Sequence, residues 1–410
     1  MYFSKRFFPL LVLVVLSVSC QQELQQPSFE YVTGNPADSG TRYPNLYQDD
    51  TGTTFMSWFL KIDETIYAVQ YSAYINGAWT EPQAMNISQD YFVNWADFPS
   101  VVGMNGEVVA GHWLKKINGG TYAYNVNIAF PGEQPRRWTE SVTPHTDGTP
   151  TEHGFVSLEP IDEETVLAIW LDGRNTDGRD HSDYSNMDQA MTLRSAEISR
   201  SGEISRERVI DSAVCDCCQT DLVRTEGGFI VVYRNRTEGE TRDIYSARYD
   251  PENGEWSEPA AVSDDGWEIM ACPVNGPRIA VNGNQVAAAW FTMADDEPKV
   301  LMAVSEDGGR TFGEAVQVAG ETSIGRVDIT AGDEKSFFVS WMQQREENGY
   351  IMLREIKTNE GPAQPVRVGM TSSSRSSGFP RMVTTDQGVL LAWTQTEPIY
   401  RIRTALVPVE

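Results

Sequence analysis

Three of the five cysteines stand within four residues, in "AVCDCCQTDL" from Ala213 to Leu222. Cys215, Cys217 and Cys218 have two chemical companions elsewhere, Cys272 in "ACPVNG" and His153 in "TEHGF". Such a set supports three chemistries. Oxidised, the sulfurs staple the chain, most simply by joining Cys272 to one of the earlier three. Reduced, thiolates with an imidazole suit zinc or a soft ion such as copper(I). A thiol among cationic side chains can also act as a nucleophile or redox centre, because positive charge stabilises the thiolate.

A second set is cationic: Arg42, Arg174, Arg234, Arg236, Arg326 and Arg381, accompanied by Asp97 and Asp172. Guanidinium groups make paired hydrogen bonds, so a cluster of them can orient an acidic or polyhydroxylated ligand. The structural alternative pairs the same arginines with Asp172, Asp216 and Asp328 as ties between neighbouring units. His112, inside the apolar "VVAGHW", reads as structural, and His145 and His181 read as loop residues.

These residues need elements to hold them, and the elements repeat. An apolar run ending in an aromatic recurs at Trp58, Trp113, Trp170, Tyr233, Trp290, Trp341 and Trp393, at spacings of 51 to 63 residues. A second signal follows most of these anchors, at Trp79, Trp138, Trp256 and Phe312. Each unit holds three or four β-rich runs separated by Gly, Asn and Asp turns, and little of the chain has helical periodicity. One unit cannot bury both faces of its own sheet, so the units must stack. Four-stranded units of this length arranged radially predict an all-β chain, a β-propeller of seven blades. A six-bladed ring with one irregular repeat is the alternative. The last repeat stops after its third strand at "RIRTALVPVE", and "SFEYV", Ser28 to Val32, can supply the fourth strand and close the ring. In such a ring the innermost strand of each blade starts, and the second strand ends, at one face, here called the top. Asp97, His153, the four cysteines, Asp172 and the arginines are thereby expected around one mouth.

The 58 acidic and 32 basic residues leave a net charge of −26, which excludes nucleic acid as a partner because nothing neutralises phosphates. Residues 1–19 have the parts of an export signal: Lys5 and Arg6, then an apolar run from Phe7 to Leu16 that is too short to span a bilayer stably. The signal resembles that of a bacterial lipoprotein, in which Cys20 would carry the lipid. This predicts an exported protein, periplasmic or at the cell surface, that touches the membrane only through its anchor. Residues 20–35 form a tether and closing strand, and residues 36–410 the propeller.

"SEDGGRTF" matches the Asp-box pattern of sialidase-type propellers, with Ser305, Asp307, Gly309 and Phe312 at its defined positions. Residues 36–410 therefore resemble the sialidase-like, Asp-box (BNR) superfamily. The stretches "EHGFVSL", "CDCCQT", "CPVNGP" and "SGFPRM" are similar to a bacterial group within it. The resemblance implies an arginine triad for a substrate carboxylate, an aspartate acid, and a tyrosine nucleophile polarised by a glutamate. Arg42, one of Arg234 or Arg236, and one of Arg326 or Arg381 match the triad; Asp97 matches the acid. The pattern departs at the glutamate, whose place is taken by "CDCCQT", and only Tyr350 and Tyr400 stand near a nucleophile position. The expected function is recognition or processing of a glycan or small anionic ligand by a monomer. A Cys/His metal or redox protein and a protein-binding scaffold without chemistry are the alternatives.

Overall fold

The structure, a computed structural model, describes residue 1 and residues 30–32, 34–179, 186–333 and 335–409. The export signal, Cys20 and His181 lie outside them. Seven small antiparallel sheets make a seven-bladed β-propeller, and the only helices among the described residues are short 3-10 turns. The innermost strands, in blade order, are Thr41–Gln48, Ser100–Met104, His153–Pro160, Asp221–Thr225, Arg278–Asn282, Asp328–Ala331 and Arg381–Thr385. Each touches the innermost strand of the next blade, and the seventh touches the first. The ring closes as the sequence predicts: Glu30–Tyr31 pairs antiparallel with Arg401–Val407, placing Tyr31 opposite Ala405.

The aromatic anchors hold the blades together. Trp58, Trp113, Trp170, Tyr233, Trp290, Trp341 and Trp393 are all buried, each packed in the seam with the preceding blade. Trp393, for example, meets Ile351 and Leu353 of blade six. Truncating such a ring to alanine typically costs about 3–5 kcal/mol, which accounts for an aromatic at this position in every repeat.

Hydrogen bonds tie alternate seams at the channel. Asp97 Oδ2 accepts the Phe155 amide at 2.8 Å, Asp221 Oδ2 accepts that of Ile279 at 2.8 Å, and Asp328 Oδ2 accepts that of Met382 at 2.7 Å. The three acceptors belong to blades two, four and six, and the three donors to the blades that follow. Near the top face the chain bends through left-handed residues at Tyr43, Phe155, Val274 and Arg326, with φ between 48° and 57°. Positive φ is unfavourable for residues with a Cβ and collects where the surroundings enforce a particular path.

In "SEDGGRTF", Ser305 Oγ donates to Asp307 Oδ1 at 2.7 Å, and that oxygen accepts the amides of Arg310 and Thr311 at 3.0 and 2.9 Å. Gly309 (φ +78°) comes so close to Ile230 that a Cβ would lie 2.2 Å from its Cδ1. Phe312 packs beside Ile230 and Val286 in the seam between blades four and five.

Candidate functional site at the top face

The segments that precede the innermost strands do converge. Asn94 to Ala96 of blade two, Glu152 of blade three, Asp216 and Cys217 of blade four, Cys272 and Val274 of blade five and Arg375 of blade seven line one open cleft of about 260 Å³. Tyr122, Phe155 and Arg179 complete its wall. Ligand pockets begin at roughly 300 Å³, so the cleft is of a size for one small ligand unit such as a single sugar ring.

Glu152 is the central acidic group. It lies immediately before the innermost strand of blade three and is half-buried. The Tyr124 hydroxyl, from the start of the third strand of blade two, donates to Glu152 Oε1 at 2.5 Å. Burial pushes the Glu152 carboxyl up to about 8, with the Asp97 and Asp216 charges adding to the rise against the Tyr124 bond and Arg179. Tyr124 is itself fully buried and stacks on Phe92 at 3.9 Å. Gly154 is what allows this approach. A Cβ there would lie 2.2 Å from Asp97 Oδ2 and 2.8 Å from the Tyr124 ring.

Asp97 stands behind this pair, 4% exposed, with its Phe155 tie in place and burial pushing it up to about 7. Its counterparts Asp221 and Asp328 both contact Arg278, at 3.0 and 2.8 Å, whereas Asp97 has no ion pair among the described residues.

The predicted arginines are largely engaged by the fold. Arg234 donates to the carbonyls of Asn275, Arg242 and Phe291. Arg326 donates to Ser377 Oγ and to the carbonyls of Ser373, Ser374 and Gly378, with its guanidinium 5.3 Å from the Trp95 ring centre. Arg236 pairs with Glu240 at 2.8 Å and lies 3.7 Å from Asp216. Arg174 and Asp172 make a two-pronged pair at 2.7 and 2.8 Å. Arg381 covers the Phe98 ring at 4.9 Å inside the channel, and Arg42 covers Tyr400 at 4.3 Å. The guanidiniums that line the cleft are instead Arg179, bonded to Asp216 at 2.5 Å, and the exposed Arg375.

All four cysteines of the propeller are in disulfides: Cys215 with Cys218, and Cys217 with Cys272. The second bridge joins the starts of blades four and five and forms part of the cleft wall. His153 lies away from it, stacked on His145 at 3.7 Å. His145 lies in a loop, as expected, and that loop residue is buried, 6% exposed. His112 is structural as expected, with Nδ1 2.7 Å from Ser100 Oγ.

Sequence reasoning missed Glu152, Tyr124, Trp95, Arg179 and Arg375. Glu152 carried a signal: it precedes His153 in "TEHGF", and strand alternation sends neighbours to opposite sides. The Tyr124 contact crosses a blade seam and leaves no local mark.

No protein-family model matches the chain, and no curated protein sequence does. Solved structures show its fold. An ulvan lyase described as a new family of polysaccharide lyase, bound to a glucuronic acid–sulfated rhamnose unit, aligns with TM-score 0.55 and 11% identity over 92% of this chain and 96% of that one. A protein of unknown function from Dyadobacter fermentans aligns with TM-score 0.50 and 11% identity over 94% and 99%. A sialidase from Streptococcus pneumoniae aligns with TM-score 0.48 and 8% identity over 92% and 94%. The chain shares its overall fold with the first two of these.

Proposed function

We propose that the top-face cleft binds an acidic glycan and that Glu152 is the acid–base group that acts on it. The observation that carries this reading is the Tyr124–Glu152 hydrogen bond at the wall of a cleft that also holds Trp95, Arg179 and Arg375. Trp95 offers a partly exposed ring to the apolar face of a sugar. Guanidiniums suit a carboxylate or sulfate. Near neutrality Glu152 holds its proton, so it can deliver that proton to the glycosidic oxygen as the C–O bond breaks and a water molecule adds to the anomeric carbon, the proton lost by that water passing to solvent, while Tyr124 keeps the carboxyl in place. Tyr124 is too enclosed to attack a sugar itself, which separates this scheme from a tyrosine-nucleophile sialidase. The likeness of fold to a lyase acting on an acidic polysaccharide favours the same ligand class. Kinship with the sialidase-like group carrying "EHGF" and "CDCC" is part of the proposal and rests on those motifs.

The test is a panel of uronate-, sialate- and sulfate-bearing oligosaccharides, followed by reducing-end release and by ultraviolet absorbance of unsaturated uronate. Turnover that falls by about 10²-fold or more in Glu152→Gln is expected. Turnover unaffected by that change, or no binding across the panel, overturns the reading.

We further propose export with lipidation at Cys20. The two disulfides support an oxidising compartment. Metabolic labelling with a fatty acid should mark the wild type and not Cys20→Ala; equal labelling of both removes the anchor.

A further inference from the structure

A cluster that the glycan reading does not use lies beside the cleft, in the seam between blades two and three. His153 is fully buried. Its Nδ1 donates to the Thr151 carbonyl at 3.3 Å, which leaves Nε2 with a lone pair in the neutral ring. That nitrogen faces Asp147 Oδ2 at 3.2 Å and Asp172 Oδ1 at 3.7 Å, and Asp147 Oδ2 lies 3.5 Å from His145 Nδ1. Both His153 Nε2 and Asp147 Oδ2 are buried without a hydrogen-bond partner. Buried polar atoms are nearly always satisfied, so two orphans aimed at each other call for an explanation.

We propose that His145, Asp147 and His153 bind one divalent cation of the zinc type. Two imidazoles and a carboxylate are a zinc donor set that leaves a fourth position for another ligand, and tetrahedral bonds of about 2.1 Å place ligand atoms about 3.4 Å apart. The contacts of 3.2 and 3.5 Å bracket that spacing. Asp172, whose oxygens are held by Arg174 and Trp170, stays outside the donor set. Outer contacts orient the donors as metal sites require. Thr151 holds His153, and the Thr149 amide bonds Asp147 at 2.9 Å. His145 is the ligand that must move. It stacks on His153 with rings 4° from parallel, and its Nε2 accepts a long 3.3 Å bond from the Val126 amide. Binding turns this ring out of the stack, releases the Val126 amide and moves the ring proton from Nδ1 to Nε2, so that the Nδ1 lone pair meets the ion. Arg174, 3.5 Å from Asp147, offsets part of the acidic charge. The cation would brace the segment that ends in Glu152, one residue from a ligand.

The experiment is elemental analysis of the full chain in detergent, after chelator treatment and reloading with Zn²⁺, with Co²⁺ as an optical probe. One equivalent of zinc and visible d–d bands are expected. His153→Gln and the near-isosteric Asp147→Asn should each lower the metal content by at least tenfold. Circular dichroism shows which variants remain folded, and the near-isosteric Asp147→Asn serves if His153→Gln does not. A Cys217→Ser/Cys272→Ser variant should keep the metal. Less than a tenth of an equivalent in the wild type, undiminished metal in folded Asp147→Asn, or loss of metal only in the cysteine variant overturns the site.

Discussion

Asp97 and Glu152 stand at the same mouth on neighbouring blades, but their surroundings give them different work. Asp97 is one of three aspartates that accept the amide of the next blade, so its first role is to tie a seam. Glu152 has a tyrosine for its partner and a cleft beside it. A residue type and a place in the repeat were enough to nominate Asp97. They could not separate the two roles, because both carboxyls lie just ahead of an innermost strand. Trp95 gives the residue-scale prediction. Its ring is held by Phe379, stacked at 5.6 Å, lies by the Arg326 and Arg375 guanidiniums at 5.3 and 5.8 Å, and lines the cleft. Trp95→Ala should weaken glycan binding by at least about tenfold, as loss of a central aromatic anchor does, with little change in melting temperature. Calorimetric titration measures the first, and an unchanged affinity removes Trp95 from the site.

At the scale of elements, the Cys217–Cys272 bridge joins two blades across 55 residues of chain. A loop of that length loses unfolded-state entropy worth about 4 kcal/mol, and the Cys215–Cys218 loop only about 1.5 kcal/mol. Cys217→Ser/Cys272→Ser should therefore destabilise the propeller more than Cys215→Ser/Cys218→Ser, as read from denaturant midpoints. The reverse order would mean that the bridge across blades does not constrain the unfolded chain. Thiol counting without reduction should find none of these four free. The sequence narrowed the sulfurs to staples, metal ligands or reactive thiols, and the most direct staple it suggested was one from Cys272 to the earlier run. Which sulfur took part depended on how the loop at Asp216 turns, and strand alternation says nothing about a residue that lies in a turn.

Across the whole molecule, burial moves several titrations in opposite directions. It pushes up the carboxyls of Asp97 to about 7, and of Glu152 and Glu159 to about 8, and it pushes down His112 to about 3 and His145 to about 4. The folded carboxyls keep protons that the unfolded chain has already released, so their contribution is present at low pH and lost as pH rises through these values. The histidines act oppositely, but only below their ordinary value of 6.5. Between about pH 6.5 and pH 8 the carboxyls act alone, so stability should fall, a tenfold difference in proton affinity between the folded and unfolded chain being worth roughly 1.4 kcal/mol. Melting temperatures across that window test the sign. Glu159→Gln, which retains a side chain for the Tyr47 hydroxyl, should flatten the slope. A melting temperature that rises across the window contradicts it.

The ring was legible in the repeat pattern alone. Its aromatic anchors recur because each one must fill a seam against the preceding blade, and the strand Glu30–Tyr31 was readable because the last repeat lacks its fourth member. Local pattern is enough when the same packing requirement returns in every unit. The site was decided by tertiary structure. Glu152 meets Tyr124, Arg326 gives its donors to blade seven, and His153 turns to His145 and Asp147, all through contacts across seams. Periodicity places a residue on a blade and at a face. It does not specify which side chain of the neighbouring blade will be opposite, because that depends on blade twist, bulges and loop paths that the repeat leaves free.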